Sequence, residues 1–372
     1  MLKNNTLRLG LVATCAVMAV ALGASAPAYA DPAAGTYPAL AGVGSDTTQD
    51  IVGGLASVIP SIGSYDAVST TNTIQTRAGG PTFTRPNGSG AGQLALSMAI
   101  TGGTYGTPAV AVSGQLDFAR SSSGPDAALG TGGQLTFIPF ARDAVTYAVS
   151  AASDFPRDIP QGSAAQDAIV PAVFSLRNIY RSKITTYTNA DLDSVTINPL
   201  VPQAGSGTRN FWVRNAMGLT DATLGSTVSA TNAGVSVQEH DGSIILGAGD
   251  IVPFSIAQYI AQGNHGALPT AVVERRGNIA LGNISSAKPY VFAAGGGIEL
   301  NAAFPITRLV YNVVSTPRLT GTSPADVALQ TAFVGTGSSV CAASATIRQY
   351  GFASIGALCG NSTTYKQGLR LS

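Results

Sequence analysis

Ala204-Gly205-Ser206-Gly207-Thr208 sets two glycines and two hydroxyl residues at the start of an expected helix, Phe211–Met217, with Gly218 at its C-cap position. Free N–H groups at a helix N-terminus, flanked by Ser and Thr hydroxyls, suit a bound anion. They equally suit self-capping, in which the hydroxyl satisfies its own helix. The same pattern recurs in Gly44-Ser45-Asp46-Thr47, Gly88-Ser89-Gly90 and Ser121-Ser122-Ser123-Gly124-Pro125. Four such loops in one chain favour an anion site, provided that they converge in space.

The segments between these loops alternate. Ile51, Val52, Leu55, Val58 and Ile59 keep helical spacing up to Pro60, and Leu94 and Met98 mark a second helix ended by Gly102-Gly103. Residues 135–140 and 144–149 read as two strand segments around Pro139. Residues 172–181 are expected to be helical. Ser323-Pro324-Ala325-Asp326 supplies an N-cap, a proline at N1 and an acid at N3 for a late helix. Interleaved strands and helices predict an α/β class with helices covering the sheets.

The first thirty residues read as a secretory signal. Lys3 and Arg8 precede the apolar run Leu9–Leu22, and Ala28-Tyr29-Ala30 gives a small-x-small cleavage site after Ala30. Export implies an extracytoplasmic protein with no membrane span after processing. Cys15 leaves with the signal, so Cys341 and Cys359 are the pair left to oxidise, and a disulfide is expected. Without Lys3 and Arg8, 18 basic groups face 19 acidic ones. A near-neutral chain with 10% charged residues has no electrostatic footprint for nucleic acid or an anionic membrane.

The usual catalytic signatures are missing. The sequence contains no Gly-x-Ser-x-Gly elbow and no Gly-x-x-x-x-Gly-Lys-Ser/Thr loop. His240 and His265 are too far apart for a helical metal pair, and the two cysteines have no neighbouring histidine. No metal, cofactor or enzymatic activity is expected. Glu239-His240-Asp241-Gly242 reads as a polar surface turn.

The order of these motifs resembles the phosphate-binding proteins of ABC phosphate importers. Residues 41–47 are similar to the family's opening strand-to-helix loop, and residues 87–90 to its second ligand loop. Leu116–Ser122 is similar to the strand carrying a further hydroxyl, and residues 138–140 to the first crossover strand. Asn178–Ile184 resembles a helix end and turn of the second lobe, and residues 204–208 its anion loop. Residues 251–254 and 304–307 resemble the return to the first lobe.

The resemblance implies a two-lobed α/β type II periplasmic-binding-protein fold with crossover strands and a central ligand cleft. Its expected boundaries are signal 1–30, leader 31–36, lobe one 37–140 plus 301–372, and lobe two 141–300. It implies a monomeric, non-enzymatic solute-binding protein for phosphate or a related oxyanion, working with an ABC permease. An adhesion or sensing protein for an organic phosphate or sugar is the alternative. The implied ligand residues are Ser45, Thr47, Ser89, Ser122, Ser206, Gly207 and Thr208.

Two family residues are replaced. Pro202 stands where the family has an arginine, and Ser122 where it has the pocket aspartate. Arg120 or Arg209 is the expected counter-charge, Asp46 the candidate acceptor, and sulfate an expected competitor of phosphate.

Overall fold

A computed structural model describes residues 31–169, 172–270, 272–293 and 296–372. The expected signal peptide lies outside them. The main sheet has nine strands. They are β1 (Leu40–Gly44), β2 (Ile62–Ser64), β3 (Phe118–Ser121), β4 (Leu135–Ser150), β5 (Asn198–Pro199), β6 (Asp250–Ser255), β7 (Ile279–Leu281), β8 (Thr307–Ser315) and β9 (Lys366–Gln367). Their path is β5-β6-β4-β8-β3-β1-β2, with β7 and β9 added along β4. The fold is a two-lobed α/β architecture.

The strand β4 ties the lobes together. Residues 135–144 pair antiparallel with β8, residues 145–148 with β6, and residues 148–150 with β7. The two segments expected around Pro139 are therefore one 16-residue strand. Val310 faces Ala141 and Tyr311 faces Pro139, so Phe140 is an extra residue in the ladder. This bulge carries the strand past a residue that has no N–H to donate. Nearly every position of β4 is buried, as its run of apolar residues on both faces requires.

In the first lobe, β1 runs parallel to β2 and β3. Parallel neighbours need crossover connections, and α1 (Gln49–Val58) and α2 (Ser89–Thr101) lie in them. Both helices start where strands or loops reach the same edge of the sheet, so their N-termini face one crevice. Ile51 and Leu55 of α1 are buried with Phe118 and Phe333, whose rings lie 5.0 Å apart. Gly102, at φ 73°, ends α2 in the left-handed region that favours glycine.

The second lobe packs α3 (Leu176–Tyr180), α4 (Gly207–Asn210) and α5 (Ile256–Gly263) around Tyr147, Trp212 and Ile251. The helix α4 continues as a π-helical turn over Phe211–Ala216. It thus starts earlier than its apolar spacing implies, because the Ser206 hydroxyl accepts from the N–H groups of Thr208 and Arg209. The helix α3 is shorter than residues 172–181. Ala172 has φ 64°, and Ser175 caps the first turn by accepting from the Asn178 N–H. The loop at residues 121–125 leads only to a 3-10 turn, Ala127–Leu129, which Asp126 caps and Gly130 stops.

Late in the chain, α6 (Pro324–Phe333) starts at Ser323 as its sequence requires. The short helices α7 (Ser339–Ala342) and α8 (Ser344–Gln349) complete the first lobe. Cys341 and Cys359 form the expected disulfide, Cα–Cα 5.8 Å, beside the first-lobe core. Among the described residues no helix is long and apolar enough to cross a membrane.

The disulfide spans a separation of 18 residues. In the chain-entropy model, closing a loop of this size stabilises by about 3 kcal/mol. The Cys341→Ala/Cys359→Ala variant is expected to lose a comparable amount in urea unfolding. An unchanged midpoint and slope would mean that the bridge restrains nothing in the unfolded chain.

Candidate functional site

Four loops meet where the lobes touch. Thr47 comes from the turn after β1, Ser89 from the start of α2, Ser122 from the end of β3, and Ser206-Gly207-Thr208 from the start of α4. Thr47 Oγ1 lies 3.2 Å from Ser122 Oγ and 3.2 Å from Thr208 Oγ1. Ser89 Oγ lies 3.3 Å from Ser122 Oγ and accepts from the Ser122 N–H at 3.0 Å. All five hydroxyl residues are buried. The lobes are in backbone contact, since the Gly90 N–H donates to Gly205 O at 3.0 Å. A Cβ on Gly207 would lie 2.4 Å from both Ser89 Oγ and Ser122 Oγ, so only glycine allows this approach.

A carboxylate sits at the centre of this cradle. Glu239 Oε1 accepts from the Thr47 hydroxyl, and from that of Thr208 at 2.7 Å. Its Oε2 lies 3.5 Å from Ser206 Oγ. Residues 239–242 read as a surface turn, yet Glu239 and His240 are both 0% exposed. The turn is held inward because Glu239 O accepts from the Ser255 N–H, and His240 O from the Gln262 side-chain amide. Only the Asp241 end of the turn behaves as the sequence suggests, capping a 3-10 turn.

The expected counter-charges point elsewhere. Arg120 is fully buried, but its guanidinium donates to the carbonyls of Gly42, Gly44 and Ser45 and to Ser64 Oγ. It clamps the end of β1 and so fixes the loop that carries Thr47. Burial lowers its pKa to about 10. Arg209 pairs with the half-exposed Asp221 and donates to Pro202 O. The Ser45 hydroxyl has no hydrogen-bond partner in this arrangement.

The guanidinium that does reach the cradle belongs to Arg308 on β8. Its Nη2 lies 3.5 Å from Thr47 Oγ1, while the same group pairs with Asp143 of β4 at 2.7 Å. Asp143 also accepts from Ser255 Oγ at 3.0 Å and from the Ala257 N–H at the start of α5. Arg308 Nη1 is buried without a partner. Glu239, Asp143 and Arg308 escaped the reading of the sequence. The signal for the last two was a charged residue inside an otherwise apolar strand run, which demands a buried partner.

Asp46 lies beside this cluster, 0% exposed, with Oδ1 accepting from the Thr47 N–H. Burial, and then the neighbouring Glu239 carboxylate, hold the Asp46 carboxyl well above its ordinary range. Burial, and then the charge of Arg275, push the His240 imidazole well below its ordinary range. His240 is therefore neutral at pH 7.

Among solved structures the chain is similar to a phosphate-bound protein from Clostridium perfringens assigned as a phosphate ABC-transporter substrate-binding protein. The TM-score is 0.53 at 12% identity, over 85% of this chain and 99% of that one. The two proteins share a fold. Further similar structures are an ABC-type phosphate transport receptor from Vibrio cholerae and a phosphate-binding protein from Stenotrophomonas maltophilia. The first has 15% identity and a TM-score of 0.48 over 84% and 99% of the two chains; the second has 16% and 0.47 over 87% and 92%. No family model matches the sequence, and no curated protein does.

Removing Arg308 would leave the Asp143 charge in the interior with hydroxyl and amide donors only. Breaking a buried pair in this way costs about 3–5 kcal/mol. Arg308→Ala is expected to lose that much in urea unfolding. A loss below about 1 kcal/mol, the size of a solvent-exposed pair, would contradict the burial of this one.

Proposed function

We propose that the protein is an exported solute-binding protein that captures phosphate or a similar small oxyanion between its lobes, for ABC-type uptake. One observation carries the reading. A carboxylate, itself an oxyanion, is held by hydroxyls contributed from both lobes: Thr47 from one, Ser206 and Thr208 from the other. Oriented hydroxyls and helix N-terminal amides offset the desolvation of a buried anion. Ser45, Thr47, Ser89, Ser122, Ser206, Gly207 and Thr208 are the proposed ligand residues, with Arg308 as their cation in place of Arg120 or Arg209.

The close backbone approach beside the hydroxyls favours a small ligand over a sugar or an organic phosphate. A Cβ on Gly88 or Gly90 would already come within 3.1 or 3.2 Å of Gly205 O. In this reading Glu239 acts as a tethered competitor, and the ligand takes over its hydroxyl donors as the lobes part and close again. The proposed lobes are residues 37–140 with 301–372, and residues 141–300. Cleavage after Ala30 would release a monomer that delivers its ligand to a permease and performs no reaction.

Calorimetry with phosphate and sulfate tests this. Ser206→Ala deprives the anion of a donor and is expected to weaken phosphate binding by roughly 1–3 kcal/mol. Glu239→Gln removes the competing charge while keeping its shape, and is expected to tighten binding about tenfold. Sulfate is expected to compete in the unaltered protein, and Ser122→Asp to exclude it. Weaker binding by Glu239→Gln would make the carboxylate an acceptor for a protonated ligand. No heat with any small oxyanion would remove the reading altogether.

A further inference from the structure

We propose that Asp46, Glu239 and His240 form a site for one divalent transition-metal ion of the zinc class. One donor atom from each of the three lies within 4.8 Å of the others, and all three residues are buried. His240 Nδ1 and Asp46 Oδ2 are 3.9 Å apart, too far for a hydrogen bond. Asp46 belongs to the first lobe, and Glu239 and His240 to the second, so closure of the lobes assembles the site.

An independent observation points to a ligand here. Neither ring nitrogen of His240 has a hydrogen-bond partner, and neither does Asp46 Oδ2. His240 and Asp46 are 0% exposed. Buried polar groups are paired in the great majority of cases, and this spot breaks that rule twice at adjacent side chains. A cation between them would accept the imidazole lone pair and the free carboxylate oxygen together.

Two carboxyl groups meet one imidazole. Deprotonated by a bound cation, they offset the charge of Arg275, which acts on His240, while the guanidinium groups of Arg308 and Arg120 are directed at Asp143 and at backbone carbonyls. The remaining oxygen of Asp46 is held by the Thr47 N–H at 3.0 Å, which fixes the carboxylate plane as an outer-shell partner does.

The donor set selects the ion. One imidazole with two carboxylates suits zinc and its neighbours, whereas calcium and magnesium prefer all-oxygen shells. Zinc binds such donors at about 2.0–2.2 Å, so at the tetrahedral angle they sit roughly 3.4 Å apart. His240 Nδ1 and Asp46 Oδ2, 3.9 Å apart, draw in by about half an ångström on binding. The metal site requires no bound anion, and so stands or falls apart from the oxyanion reading.

The test uses purified, tag-free protein, stripped with chelator and kept in phosphate-free buffer. It is titrated with Zn2+ by calorimetry and with Co2+ by visible absorption. The expected result is one ion per chain with ligand-field bands of low coordination number. His240→Gln and Asp46→Asn should each weaken binding at least tenfold, and His265→Gln, at the exposed second histidine, should not change it. Absence of binding by the folded, unaltered protein overturns the proposal, as does full affinity in His240→Gln. Should that variant fail to fold, full affinity in Asp46→Asn overturns it equally.

Discussion

The buried pair between Asp143 and Arg308 is the constraint around which the two lobes are arranged. It lies at the point where β4 leaves its partner β8 and takes up β6. Asp143 accepts from Arg308 on one side, and from Ser255 and Ala257 at the start of α5 on the other. One carboxylate thus joins both crossover strands to the start of α5. Its charge meets the positive end of that helix as well as a guanidinium, which makes it tolerable in the interior. Because Arg308 also reaches Thr47, the pair sets the position of the cradle as well as the fold.

The cradle is built from hydroxyls, not from charges. Thr47, Ser89, Ser122, Ser206 and Thr208 are short side chains at the ends of strands or the starts of helices, so they lose little conformational entropy when ordered. Arg120 contributes from behind, by gathering the carbonyls at the end of β1. A long cation placed inside would have had to fold back among these groups. Arg308 instead enters from a crossover strand and is already fixed by its partner.

Much of this could be read from the sequence because the determinants are local. The loop at residues 204–208 announces itself by Gly and Ser spacing, and Ser323-Pro324 fixes the start of α6. The pairing of Cys341 with Cys359 follows from counting thiols. What escaped depends on distant contacts. Pro139 looked like a break because the bulge that absorbs it is formed by β8, about 170 residues further along the chain. Residues 239–242 looked like a surface turn because polarity alone says nothing about the Ser255 and Gln262 donors that draw them inward. Arg120 and Arg209 sit next to the hydroxyl loops, but their direction is set by the carbonyls of β1 and by Asp221.

The bond from Gly90 to Gly205 links the backbones of two lobes that the crossover strands join elsewhere. The Gly90 amide hydrogen can exchange with solvent only when that contact parts. Its neighbours further along α2 are held by the helix itself and exchange when the helix frays or unfolds. A ratio of the two rates is thus an internal clock for opening, recorded by the chain without any label and independent of what the cleft contains.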